Sequence, residues 1–117
     1  MGYHILDHLG QLDTLYKESF DQPVLLFKHS TRCSISDIAH RRIMAPAAFT
    51  STSIQFYYLD LIRYREISNE IALRFKVHHE SPQVLILRDG ECVFECSHLD
   101  IEVDEILDQL RQLVTVE

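Results

Sequence analysis

The sequence predicts an α/β fold, a mixed central sheet with helices on both faces in the order α-β-α-β-α-β-β-α, and three observations carry that expectation. Two short apolar runs are each followed by a helix-period pattern, as when parallel strands are joined by crossovers. An Asp-Gly pair separates two strand-like runs late in the chain. An amphipathic helix pattern follows them.

Taken in order, "LGQLDTLYKES" sets Leu9, Leu12, Leu15 and Tyr16 at helical spacing. "PVLLF" is an unbroken apolar run that suits a strand covered on both faces. From Ser34, the residues Ile35, Ile38, Ala39 and Ile43 recur at three and four, so a helix starts immediately after Cys33; Pro46, with no N–H to donate, should kink or end it. "IQFYYLD" reads as a strand from its aromatic and β-branched content. In "ISNEIALRFKV" Ser68 is the expected N-cap and Ile71, Ala72 and Phe75 the apolar side. "QVLIL" and "CVFEC", joined through "RDGE", form a hairpin. "VDEILDQLRQLV" lines up Ile106, Leu107, Leu110, Leu113 and Val114 on one face, and residues 3–6 offer an additional N-terminal strand.

At 117 residues the chain is about one domain's worth, and 46% hydrophobic with 25% charged is the balance of a globular protein. The first residues lack the basic and apolar regions of a secretion signal, and no apolar run approaches the roughly 18 residues of a membrane span, so a cytoplasmic protein is expected. Gly2 suggests myristoylation, but Leu6 stands where that motif needs Ser or Thr. A net charge of −7 argues against a nucleic-acid partner, which a basic surface would serve. Three cysteines, an odd number, are expected as free thiols. Cys92 and Cys96 lie four apart on a strand, about 13 Å, too far to pair. They are expected on one face as small core side chains, with a resolving role toward Cys33 as the alternative. Seven histidines, His78 and His79 adjacent among them, lack metal-ligand spacing. No metal site is expected.

Cys33 directly precedes a predicted helix, whose N-terminus offers unpaired N–H groups and the positive end of a dipole to a thiolate. Lowering a thiol pKa from about 8.5 to about 6 requires roughly 3.4 kcal/mol, of which a dipole gives about 0.3–2. Direct hydrogen bonds or the charge of Arg32 must supply the rest. Ser36, three residues on, has a hydroxyl where a dithiol enzyme has its second sulfur, which makes the site monothiol.

The element order, with Cys33 at the first strand-to-helix junction and Pro82 directly before the third strand, resembles the thioredoxin fold over most of the chain. The resemblance implies a single thioredoxin-like domain over residues 1–117, with a cis bond before Pro82 and with Ser81 and Pro82 facing Cys33. "FKHSTRCSIS" at 27–36, "SNEIALRFKVHHESPQVLI" at 68–86 and "SHLDI" at 97–101 are similar to the YtxJ-like monothiol bacilliredoxins of the bacillithiol system. That family typically reads Thr-Cys-Pro-Ile-Ser at its active site; here Arg32 replaces the Thr and Ser34 the Pro. The resemblance implies an oxidoreductase that removes bacillithiol, a small thiol used in place of glutathione, from mixed disulfides on client proteins. Cys33 is then the catalytic nucleophile, and Lys28, Thr31, Arg32, Ser36, Ser81 and Pro82 are the substrate-binding residues. Lys28 and Arg32 would attract the carboxylates of the small thiol, or else be solvated surface charge. His29 and His98 belong to the same motifs and are expected to be packed or hydrogen-bonded near the active-site end. No bound cofactor is implied, bacillithiol being a co-substrate, and a monomer is expected, with a dimer as the alternative. Two other readings stand beside this one: a glutaredoxin-like enzyme acting on glutathione mixed disulfides, and a thioredoxin-fold interaction module without turnover. An iron–sulfur dimer would need cluster ligands from two chains or an external thiol.

Overall fold

The computed structural model describes residues 3–31, 34–44 and 54–113, without the side chains of Ile35 and Met44. They form β1 (His4–Ile5), α1 (Gln11–Glu18), β2 (Val24–His29), α2 (Ser34–Met44), β3 (Gln55–Asp60), α3 (Arg65–Phe75), β4 (Gln83–Arg88), β5 (Glu91–Ser97), a 3-10 turn (His98–Asp100) and α4 (Val103–Leu113). The expected order is present, including the added N-terminal strand. None of the described helices is long and apolar enough to cross a membrane. Pro46 and Val114 lie outside the described residues.

The strands run in the order β1-β3-β2-β4-β5, with β1, β3 and β2 parallel and β4 and β5 antiparallel to their neighbours. β2 is central and all six of its residues are buried. Its alternation divides the core. Val24 and Leu26 pack with Leu12 and Leu15 of α1 and Ile67, Ile71 and Phe75 of α3, while Leu25 and Phe27 pack with Ala39 and Ile43 of α2 and Ile106 and Leu110 of α4. Ile38, expected on the apolar side of α2, is 39% exposed.

Two local expectations are overturned. Ser68 is not the N-cap of α3: the Asp60 carboxylate accepts the N–H groups of Ile62 and Arg63, the chain turns at once after β3, and Tyr64 O already takes the N–H of Ile67 and Ser68. The helix therefore begins at Arg65, one turn early. Nor do Cys92 and Cys96 share a face. The β4–β5 register slips between Ile86, opposite Phe94, and Leu87, opposite Cys92, so Val93 is extra. A bulge of one residue moves the residues after it to the other side of a strand. Cys92 accordingly packs with the α1/α3 cluster and Cys96 with the α2/α4 cluster.

The hairpin turn uses Asp89 and Gly90 at φ 56° and 81°, both left-handed, as a two-residue type I′ turn demands. It docks on the end of α1. Ser19 O accepts the Asp89 N–H and Arg88 Nη1, and Ser19 Oγ accepts the Gly90 N–H. Tyr16 and Phe20, edge to face at 5.3 Å, cover the glycine, and a Cβ there would lie 2.8 Å from Tyr16. Gly90→Ala is expected to cost about 1–2 kcal/mol from its backbone conformation, read as a lower midpoint in urea unfolding.

Candidate active site

β2 ends at His29 and the chain re-enters regular structure at Ser34, the first residue of α2. Cys33 and Arg32, the expected nucleophile and its neighbour, lie outside the described residues, so their contacts form no part of the geometry. The helix starts at Ser34 although a serine replaces the proline that would have fixed its first φ. Thr31 and Ser34 on either side are exposed.

Ser36 differs from expectation. It is fully buried, and its Oγ accepts the Ser30 N–H at 2.8 Å while hydrogen-bonded to His29 Nδ1 at 2.7 Å. A buried backbone N–H needs an acceptor, and this hydroxyl is turned inward to provide it rather than outward to a ligand. The bond ties the end of β2 to the first turn of α2, clamping both ends of the segment that contains Cys33.

His29 is packed and hydrogen-bonded, as the sequence suggested, at 4% exposure. Burial, then the neighbouring His40, push its pKa down against the opposing pull of Asp37 and Asp60, so the ring is neutral at neutral pH. The His40 ring lies tilted against it at 4.6 Å, Phe27 stacks on it at 5.8 Å, and Tyr58 completes the aromatic cluster. Sequence reasoning missed His40. Its spacing of four from Ser36 on one helix was the available signal.

Because β4 is antiparallel to β2, its first residues lie beside the last of β2, with Gln83 opposite Lys28. The Ser81-Pro82 bond is cis, as the resemblance implied. Ser81 Oγ is buried with no hydrogen-bond partner among the described residues. Gln83, fully buried, donates to His78 O and to Glu95 Oε1 and accepts the Glu80 N–H, and the His98 N–H donates to Pro82 O. His98 thus stands at this end of the sheet, its Nε2 3.4 Å from Glu80. The adjacent His78 and His79 diverge, His78 toward Glu80 at 3.7 Å and His79 toward Lys28. Among the described residues no group of three or more His, Cys, Asp or Glu side chains is placed to hold a metal ion.

Lys28 is the largest departure. It was expected either to reach for the carboxylates of a small thiol or to be solvated, and it is 0% exposed, with Nζ 2.9 Å from His79 Nδ1. Strand alternation is the cause: Lys28 follows Val24 and Leu26 on the face under α1 and α3. Burial lowers its pKa to about 8, with Glu80 pulling the other way. Burial likewise pushes the thiols of Cys92 and Cys96 up to about 11 and 12, and Cys92 donates to Phe94 O. Both are protonated at neutral pH and poor nucleophiles, in keeping with the core reading.

Ser36→Ala, which removes the hydroxyl that bonds both the Ser30 N–H and His29 Nδ1, is expected to lose about 1–3 kcal/mol in chemical unfolding, by the same amount in a Cys33→Ala background. For Lys28, the unfolded chain binds more protons than the folded one between pH 8 and 10.5, so this group adds stability as pH rises through that window. Lys28→Met is expected to be at least as stable as wild type at neutral pH and to lack that gain, which is about 3 kcal/mol at most. Unfolding of the two proteins across the window measures the difference.

Comparison with known proteins places this geometry. A thioredoxin-fold protein of solved structure, assigned as an oxidoreductase, is 29% identical, and the match covers 92% of each chain with a TM-score of 0.78. A thioredoxin from Fasciola hepatica (14% identical, 94% of this chain and 98% of that one, TM-score 0.73) and another from Nicotiana alata (15%, 97% and 94%, TM-score 0.75) share the fold. The family model for the monothiol bacilliredoxin BrxC matches residues 4–106, a family whose redox partners are linked to bacillithiol. The chain therefore has the thioredoxin fold, belongs to the monothiol bacilliredoxin family and is a thiol–disulfide oxidoreductase.

Proposed function

We propose that the protein removes bacillithiol from mixed disulfides on cytoplasmic client proteins, with Cys33 as its nucleophile. The observation that carries the reading is the family match over residues 4–106, which takes in both the Cys33 segment and the cis Ser81-Pro82 loop. Support comes from the clamp that Ser36 places around residues 30–36 and from the raised pKa values of Cys92 and Cys96, which leave Cys33 for the chemistry.

In the proposed step the Cys33 thiolate attacks the bacillithiol sulfur of the mixed disulfide. The client leaves as a thiolate, and the Cys33–bacillithiol disulfide replaces the bond that broke, with no net change of oxidation state. A second thiol, bacillithiol or a reductase, then attacks that disulfide, returns Cys33 as thiolate and carries the disulfide away. Arg32, Thr31, Ser81 and Pro82 would meet the bacillithiol moiety. Ser36, facing inward, acts on it through the loop it holds. The chain works as a single domain and a monomer, with bacillithiol as co-substrate and no bound cofactor or metal.

The test is intact mass after mixing the reduced protein with a bacillithiolated model protein. One bacillithiol adduct is expected on wild type and none on Cys33→Ala, with slower transfer from a glutathionylated substrate. A folded wild type that takes up no adduct would overturn the proposal and favour an interaction module, while faster transfer from glutathione would reassign the small thiol.

A further inference from the structure

Residues 78–82, the segment that contains the cis Ser81-Pro82 bond, are held to the sheet from three sides. Gln83 of β4 binds the backbone of His78 and Glu80, and the His98 N–H binds Pro82 O. From the centre of the sheet, Lys28 Nζ reaches His79 Nδ1 at 2.9 Å. Amides make the first two holds and keep their protons across the physiological range. The third joins two titratable groups of the same basic kind, whereas the other titratable contact of this segment, His98 Nε2 with Glu80 at 3.4 Å, pairs opposite charges when the ring carries a proton.

An ammonium has donors and no acceptor, so this bond needs a lone pair on His79 Nδ1, hence a neutral imidazole with its proton on Nε2. Protonating Nδ1 removes the acceptor and sets two cations 2.9 Å apart. The geometry is asymmetric: Lys28 is fully buried and His79 exposed, so the loop member of the pair is the one that meets solvent protons. The surroundings act in the same sense. Ser68 Oγ of α3 lies 3.4 Å from His79 Nδ1, and the charges of Lys28, Arg65 and His78 oppose protonation of His79, with Glu80 favouring it. Across the strands Lys28 faces the uncharged Leu59 and Gln83. A residue needed there for packing would be apolar like Leu26, because a buried cation costs stability.

We propose that Lys28 and His79 form a titratable clasp that positions the Ser81-Pro82 loop for exchange at Cys33, which makes both of them positioning residues for the reaction. The proposal rests on the reading of Cys33 as nucleophile given above. The clasp is closed while His79 is neutral and opens as pH falls through the His79 pKa, which burial and Lys28 hold below the ordinary 6.5.

Exchange is measured with a bacillithiolated model protein and, separately, with 2-hydroxyethyl disulfide, from about pH 5 to about pH 8. Each rate is divided by the Cys33 thiolate fraction obtained from iodoacetamide alkylation in the same buffers, and the Ser81 amide and His79 imidazole resonances are followed by NMR over the same range. In wild type the corrected rate is expected to fall at acid pH with the midpoint shown by both resonances. Lys28→Met should be about tenfold slower above that midpoint, without the acid fall and without a lower melting temperature. His79→Gln, whose Oε1 accepts from the same ammonium and does not titrate, should restore most of the rate and also lack the acid fall. The proposal is overturned if the corrected wild-type rate is flat, if both variants keep wild-type rates and profiles, or if the Ser81 amide ignores the His79 midpoint. A wild type that exchanges with 2-hydroxyethyl disulfide and not with the bacillithiolated protein sinks the functional reading, and the clasp is then judged on the simpler disulfide. Exchange with neither overturns both.

Discussion

The antiparallel pairing of β4 against β2 is the constraint on which the rest of the molecule depends. A central strand must have both faces covered, and β2 meets this with α1 and α3 on one side and α2 and α4 on the other. Because β3 runs parallel to β2 and β4 runs opposite, the end of β2 lies beside the start of β4. Two segments far apart in sequence, residues 30–31 and 78–82, therefore leave the sheet at the same end. The end of β2 that leads toward Cys33 and the cis-proline segment are neighbours by topology before any side chain contributes.

That end of the sheet is built from buried polar groups, and each is costly unless its partners are present. Ser36 takes up the Ser30 N–H, Gln83 satisfies His78, Glu80 and Glu95, and His98 meets Pro82. The apolar clusters at the middle of the sheet supply the free energy that sustains this polar end. A core chosen for stability would have continued the leucines of β2 through position 28.

Legibility in the sequence followed the range of the forces involved. The unbroken run of β2, the Asp-Gly turn and the amphipathic stripe of α4 are written in neighbouring residues, and all three form as read among the described residues, the stripe as far as Leu113. The facing of Cys92 and Cys96 was not legible, because the bulge at Val93 arises between two strands and alters alternation without a local sign. The start of α3 was misplaced because Asp60, whose carboxylate turns the chain, belongs to the preceding strand. Lys28 was read as a residue reaching for the carboxylates of the small thiol, or else as a solvated charge, although its place two residues after Leu26 put it on a core face; a lysine there ordinarily extends its charge to water. Ser36 was identified as important from the motif, while the direction of its hydroxyl depended on the needs of a distant backbone N–H.

The bulge at Val93 has a second effect, on the outline of the sheet. β5 is an edge strand, and the ladder it would offer to another chain is broken at Val93 and flanked by the exposed carboxylates of Glu91 and Glu95; the opposite edge, β1, is two residues long. Bulges, charges and short strands are the means by which sheets discourage strand addition. A partly unfolded chain joined to it through a disulfide would thus find no long regular edge among the described residues on which to align and aggregate, and would be free to depart once the sulfur bond had moved.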